Sequence, residues 1–147
     1  MNRMQATQMI KLTLREQPTV PLEAETIVPN VFATLSNEQI RASLVYHGKR
    51  QCRLDDFFDV DGEFSDSVTM TGDLHRVKLI GKGMSHGTLT IYGSVGMHLG
   101  AQMKGGTIEV SGDASDWIGA EMTGGFIRVR GNGGARLEPP TADRCRA

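Results

Sequence analysis

Residues 96–112 read GMHLGAQMKGGTIEVSG, and residues 115–131 read SDWIGAEMTGGFIRVRG. The second stretch repeats the first at an offset of nineteen residues. Eight positions are identical: Gly100/Gly119, Ala101/Ala120, Met103/Met122, Gly105/Gly124, Gly106/Gly125, Ile108/Ile127, Val110/Val129 and Gly112/Gly131. Chance supplies an isolated glycine match, not an ordered set of eight, so this is an internal repeat. One earlier unit, residues 75–93, keeps Gly81, Met84, Gly87 and Gly93 at the same offsets and puts Leu89 and Ile91 in the apolar slots.

The end of each unit alternates strictly. Ile108 and Val110 point one way and Thr107, Glu109 and Ser111 the other; Ile127 and Val129 oppose Phe126, Arg128 and Arg130. Period two with β-branched residues on one side predicts a half-buried strand. Glycines fall at the strand ends, where the chain must turn through angles that a Cβ resists. A nineteen-residue unit is too short for a propeller blade or a helix pair, but it suits one coil of a solenoid resting on the coil before it. The expected fold is therefore all-β: a right-handed parallel β-helix with 19-residue glycine-rich coils, preceded by a small mixed N-terminal extension. Stacking predicts inward ladders Ile80–Leu99–Ile118, Met84–Met103–Met122, Leu89–Ile108–Ile127 and Ile91–Val110–Val129. Each fully buried side chain contributes about 1.5–3 kcal/mol, against the ordering of many glycines. An outward ladder Thr90–Glu109–Arg128 sets opposite charges side by side.

Composition divides the chain in the same place. Of 18 glycines, 16 lie from Gly72 to Gly134, and all five prolines lie outside that window. We expect an extension and cap at 1–71, β-helix repeats at 72–134 and an irregular tail at 135–147. In the extension, residues 10–14 (IKLTL) alternate as a strand. Residues 17–30 are proline-punctuated and extended. Ser36 with Gln39 makes a capping box that opens a short helix toward Leu44. Val45-Tyr46 suits a strand, residues 54–58 form a small amphipathic patch before a turn at Asp61-Gly62, and residues 68–72 resemble a lead-in coil. The extension is expected to cover the unpaired strand edges of the first coil. Beyond Gly134 the markers fail: Leu137 continues a ladder, but Glu138, Thr141 and Arg144 stand where glycine, methionine and glycine are expected, and Pro139-Pro140 intervenes. The tail reads as the truncated or frameshifted end of a longer repeat.

Lysine and arginine total 16 against 17 aspartates and glutamates, which gives no electrostatic case for nucleic acid or an anionic membrane. Cys52 and Cys145 match no metal or redox spacing and fit a reducing compartment. Residues 1–7 lack the apolar core of a signal peptide, and no apolar run approaches the ~20 residues of a membrane helix. The expected location is the cytoplasm.

Each motif with a chemical reading also has a structural one. Residues 100–107 have a G-x-x-x-x-G frame, but Gly106 replaces the P-loop lysine, and a strand follows instead of a helix. Gly81-Lys82-Gly83 lacks the third glycine of a dinucleotide fingerprint. Of the histidines His47, His75, His86 and His98, none has a metal-ligand spacing; His98 shares the slot of Leu79 and Trp117, and His86 sits at a coil corner. Asp59-Val60-Asp61-Gly62 lacks the ligands that would complete a calcium loop, and Asp55, Asp56 and Asp59 read as a solvated face. Ser85, Ser94, Ser111 and Ser115 show no activating histidine–carboxylate arrangement. The three repeated methionines read as core. No catalytic, cofactor-binding or metal residue is nominated.

Residues 72–84 (GDLHRVKLIGKGM), 96–101 (GMHLGA) and 116–125 (DWIGAEMTGG) closely resemble the C subunit of formylmethanofuran dehydrogenase and of the bacterial formyltransferase/hydrolase complex. The segment LDDFFDVDG at 54–62 also looks like that family. More distantly, the repeats are similar to the glycine-repeat β-helix at the C-terminus of the glutamate synthase large subunit. The resemblance implies a non-catalytic scaffold in one-carbon, formyl-carrier metabolism involving methanofuran or tetrahydromethanopterin. It places the cofactors in partner subunits: zinc or another metal in an amidohydrolase-like subunit, and molybdenum or tungsten pterin with iron–sulfur clusters in a dehydrogenase subunit. A formyltransferase subunit is a further implied partner. The alternative is a glutamate synthase-like structural domain. A carbohydrate-active β-helix is a third reading; it expects paired carboxylates on adjacent coils, where Thr90–Glu109–Arg128 stands instead.

Overall fold

Alternation along the repeats predicts strands but does not by itself say which strand lies beside which. The computed structural model, which describes residues 9–131, answers this with a mostly stranded molecule carrying a few very short helices. The strands are β1 (Ile10–Leu14), β2 (Leu22–Glu23), β3 (Leu44–His47), β4 (Arg50–Arg53), β5 (Phe58–Asp61), β6 (Ser67–Thr71), β7 (Val77–Lys78), β8 (Thr88–Tyr92), β9 (Thr107–Val110) and β10 (Phe126–Val129). Helices α1 (Pro29–Phe32) and α2 (Asn37–Arg41) and a 3-10 turn at Leu54–Asp56 complete the inventory. Ser36 caps α2 as the sequence predicts: its hydroxyl accepts from the Gln39 N–H at 3.2 Å, and the Gln39 side chain accepts from the Ser36 N–H at 2.9 Å. The helix stops at Arg41, short of Leu44.

The large sheet has the order β10-β9-β8-β6-β1-β5. Its repeat strands are parallel and in register. Leu89 faces Ile108 and Ile108 faces Ile127, each nineteen residues on. The four inward ladders inferred from the repeat are buried throughout; Met122, at 5% exposure, is the most accessible member. Thr90, Glu109 and Arg128 are aligned as expected, with Arg128 Nη1 3.7 Å from Glu109 Oε2. The lead-in coil has a different length. Val68 pairs with Leu89, twenty-one residues on, and Leu74 with Val95, also twenty-one on. The two extra residues fall between Leu74 and Leu79, because the bonds from Leu79 N–H to Met97 O and from His98 N–H to Asp116 O already span the same eighteen residues.

That two-residue insertion joins the second, four-stranded sheet, of order β4-β3-β2-β7. Leu22 N–H donates to Arg76 O at 2.7 Å, and the Arg76 guanidinium donates to Pro18 O and Thr19 O at 3.3 and 2.9 Å. Residues 17–30, read as extended, therefore hold a short strand and run into α1 at Pro29. Meanwhile β1 lies parallel to β6, and β5 lies antiparallel to β1, so the large sheet is mixed at this end. Its outer edge at β5 is covered: the Asn37 side-chain amide donates to Gly62 O at 3.0 Å and Val60 O at 3.4 Å. Ile10, Leu12, Phe32, Ile40 and Phe58 form one continuous core with the ladder residues. The expected tail at 135–147 and the start of a fourth coil lie outside the described residues.

The coil corners need glycine for two distinct reasons. At Gly105 the obstacle is distance: a Cβ there lies 2.3 Å from Ser85 O of the coil before, and at Gly124 one lies 2.3 Å from Lys104 O. Both stand where the coils touch backbone to backbone, and no left-handed angle is involved. Elsewhere the turn is left-handed, and the chain does not always use glycine for it. Leu79, His98 and Trp117 share one slot at φ of 68°, 61° and 64°; Gln102 and Glu121 share another at 59° and 57°. Such angles cost a non-glycine residue roughly 1–2 kcal/mol. Bonds between coils hold them, from His98 N–H to Asp116 O at 3.1 Å and from Gln102 N–H to Ala120 O at 2.7 Å.

Candidate functional site

Glycine-rich loops bind phosphate through free backbone N–H groups, so the partners of those groups decide the matter at residues 100–107. Gly100 N–H donates to Ile80 O at 2.9 Å and Gly105 N–H to Met84 O at 3.1 Å. Upstream, Gly81 N–H donates to Ile27 O and Gly83 N–H to Ala101 O. These donors are committed to neighbouring main chain, and strand β9 follows directly. The loop is built to stack.

The histidines lie apart. His47 tilts against Phe57 with ring centroids 5.1 Å apart, and its Nε2 accepts from Thr19 N–H at 3.2 Å. His75 Nδ1 lies 3.0 Å from Asp73 Oδ1, and His86 Nδ1 lies 3.2 Å from Asp66 Oδ2, both on the surface. His98 is half-buried and stacks on Trp117 at 6.4 Å with only 10° between the ring planes. Among the described residues, no three His, Cys, Asp or Glu side chains gather where they could hold a metal ion. Ser94 Oγ accepts from Asp113 N–H at 3.1 Å and Ser111 Oγ from Gly93 N–H at 3.0 Å, so these hydroxyls plug the backbone at coil corners. Ser85 N–H is bound by Asn30 Oδ1 at 2.9 Å.

The acidic run 55–59 differs from a plain solvated face. Asp55, only 21% exposed, accepts two 3.0 Å hydrogen bonds from the Arg53 fork and lies 3.8 Å from Arg41. That hydrogen bond pushes the Arg53 guanidinium pKa up. Arg15 joins the group through Asp59 at 2.8 Å and the Asp55 carbonyl. The sequence misses this cluster because its members come from the residue after β1, from α2, the end of β4, the 3-10 turn and β5, up to 44 residues apart. It lines a polar groove with Phe58 and Val60. Every charge in the groove already has a partner, so the cluster ties the extension together. Asp59 and Asp61 sit in β5, and the turn begins at Gly62 with φ 94°.

No family model matches the chain. By class, the proteins it is similar to are subunits of multi-subunit formyl-handling enzymes. In particular, it is 44% identical over 97 residues to the C subunit of the tungsten-containing formylmethanofuran dehydrogenase 2 of Methanothermobacter thermautotrophicus, covering 63% of this chain and 36% of that protein. The C subunit of the molybdenum-containing formylmethanofuran dehydrogenase 1 of the same organism is 46% identical over 83 residues, covering 55% of this chain and 21% of that protein. Among solved structures, a chain of the formyltransferase/hydrolase complex of Methylorubrum extorquens, determined with methylofuran, superposes with a TM-score of 0.79 at 30% identity. That match covers 84% of this chain and 47% of the other. The resemblance carried by the glycine motifs therefore holds. The chain spans about a third of the length of the first curated relative and under half of the structural neighbour.

Proposed function

We propose that this chain is a non-catalytic scaffold subunit, or part of one, in a formylmethanofuran dehydrogenase-type or formyltransferase/hydrolase complex. In this reading residues 72–134 are a right-handed parallel β-helix, residues 1–71 cap its first end, and the assembly works in the cytoplasm on formyl groups held by methanofuran or a related carrier. One observation supports the scaffold reading: the N–H groups of Gly81, Gly83, Gly100 and Gly105 and the Ser94 and Ser111 hydroxyls are spent on main-chain contacts. The similarity to C subunits of formylmethanofuran dehydrogenases and to a chain of the formyltransferase/hydrolase complex supports membership of such a complex. Metal, pterin and iron–sulfur chemistry then belongs to partner subunits, namely an amidohydrolase-like, a formyltransferase and, for a dehydrogenase, a pterin-binding subunit. The described residues of this chain offer no ligand set that fits such a group. Among them no helix is long and apolar enough to cross a membrane.

The test is purification of the tagged protein from its own cells under native conditions. Recovery with amidohydrolase-like and formyltransferase subunits, and formyl transfer that follows the assembled fraction, is the expected result. Recovery of the chain by itself, with the activity elsewhere, would sink the reading.

A further inference from the structure

Where the second sheet meets the first coil, one arginine is tethered with most of its donors unused. Arg76 O accepts from Leu22 N–H at 2.7 Å, and Arg76 Nη1 donates to Pro18 O and Thr19 O at 3.3 and 2.9 Å. A guanidinium carries five N–H donors, and these two bonds take both hydrogens of Nη1. Nε and Nη2 of Arg76 make no hydrogen bond or ion pair among the described residues. They are the same two nitrogens with which Arg53 grips Asp55, each 3.0 Å from a carboxylate oxygen. Arg76 thus presents the fork that suits a carboxylate, held from behind and exposed in front.

Arg76 also lines an apolar notch of about 160 Å³ with Pro21, His75, Lys78 and Met97. Its lining is almost wholly apolar, so the walls are the Pro21 ring, the Met97 side chain and the methylene stems of Arg76 and Lys78, with the charged heads at the rim. A void of about 150 Å³ accepts a benzene ring, which gives the notch room for one aromatic side chain. No aspartate or glutamate lines it. Glu23 lies 3.7 Å from Lys78 Nζ and Asp73 lies 3.0 Å from His75 Nδ1, so both are taken, and neither reaches Arg76. We infer that this notch binds a segment of another polypeptide in which a phenylalanine or tyrosine stands next to an aspartate or glutamate. The ring enters against Pro21 and Met97, and the carboxylate takes the Nε–Nη2 fork of Arg76. A second copy of the chain is a poorer occupant: its exposed Phe64 adjoins Glu63, whose carboxylate already accepts from Asn37 N–H at 2.7 Å. This inference stands apart from the functional reading, because it rests on the notch and is tested on this chain alone.

The probe is the end-blocked peptide Gly-Phe-Asp-Gly, titrated to millimolar concentration into the isotope-labelled full chain. Shifts at the Met97 methyl and the Arg76 Nε–H are expected. Two twins, Gly-Phe-Asn-Gly and Gly-Ala-Asp-Gly, should each bind about tenfold more weakly. Arg76→Lys keeps the charge but loses the fork; it should weaken the aspartate peptide to the level of its asparagine twin. Because Arg76 also seats β2, a second variant, Met97→Glu, changes a side chain that is already 38% exposed. It should abolish binding while circular dichroism stays unchanged. Failure to bind, equal binding of the three peptides, shifts centred away from the notch, or full-strength binding to either variant would overturn the inference. So would self-association of the peptide-free chain that Phe64→Ser abolishes.

Discussion

Replacing Gly105 and Gly83 separately with alanine should separate the two uses of glycine in the coils. At Gly83 an added Cβ meets nothing within 4 Å, although φ is 70°. Its counterparts one and two coils on are Gln102 and Glu121, at 59° and 57°. A left-handed alanine costs roughly 1–2 kcal/mol, and loss of glycine freedom in the unfolded chain returns about 0.4–1 kcal/mol. The net cost of Gly83→Ala is thus at most about 1.5 kcal/mol. At Gly105 the Cβ would lie 2.3 Å from Ser85 O, a main-chain atom. Relieving that clash moves two coils apart by about 1 Å, where 3.4 Å is the start of ordinary contact. The bonds from Lys104 N–H and Gly105 N–H to Met84 O, at 2.7 and 3.1 Å, then weaken together. With about 1 kcal/mol for each bond and a similar sum for lost packing, Gly105→Ala costs about 3–4 kcal/mol. Urea titration monitored by circular dichroism and by Trp117, the single tryptophan, gives both values from the midpoints at a common slope. Equal costs for the two variants, or a larger one at Gly83, would refute the distinction between backbone approach and backbone angle.

Met103→Ala in the middle of the methionine ladder should cost about 2–5 kcal/mol in the same titration, since Met103 is wholly buried. A double-mutant cycle on Glu109 and Arg128 should return under about 1 kcal/mol and lose most of it in 1 M salt, because both side chains are more than a third exposed. Asn37→Ala leaves two carbonyls of the β5 edge without their donor; we expect about 1–2 kcal/mol of destabilisation and concentration-dependent association in light scattering.

The repeat region was legible because a coil is a local object. Its strand, its glycines and its ladders recur at one spacing, and stacking turns spacing into register, so Leu89, Ile108 and Ile127 could be aligned from the letters alone. The extension was legible only in pieces. Alternation marks Ile10–Leu14 as a strand, but nothing in it says that Ile10 will lie beside Val68. Likewise, the capping box starts α2 without revealing that Asn37, the next residue, covers the β5 edge. The longer first step was hidden, because His75 and Arg76 read as the start of an ordinary nineteen-residue unit, and the use of Arg76 as a seat for β2 depends on residues more than fifty positions away. The left-handed Leu79, His98 and Trp117 were hidden for the opposite reason. Local preference argues against that angle, and only the neighbouring coil imposes it.

The covered β5 edge has a consequence for synthesis. Strand β1 makes the longest-range pairing, Ile10 with Val68, and the first layer cannot close until both strands have left the ribosome. From there each new strand of the large sheet finds its partner twenty-one and then nineteen residues behind. During synthesis growth follows toward the C-terminus, in the order of translation. This geometry predicts one slow initiation followed by short, fast additions.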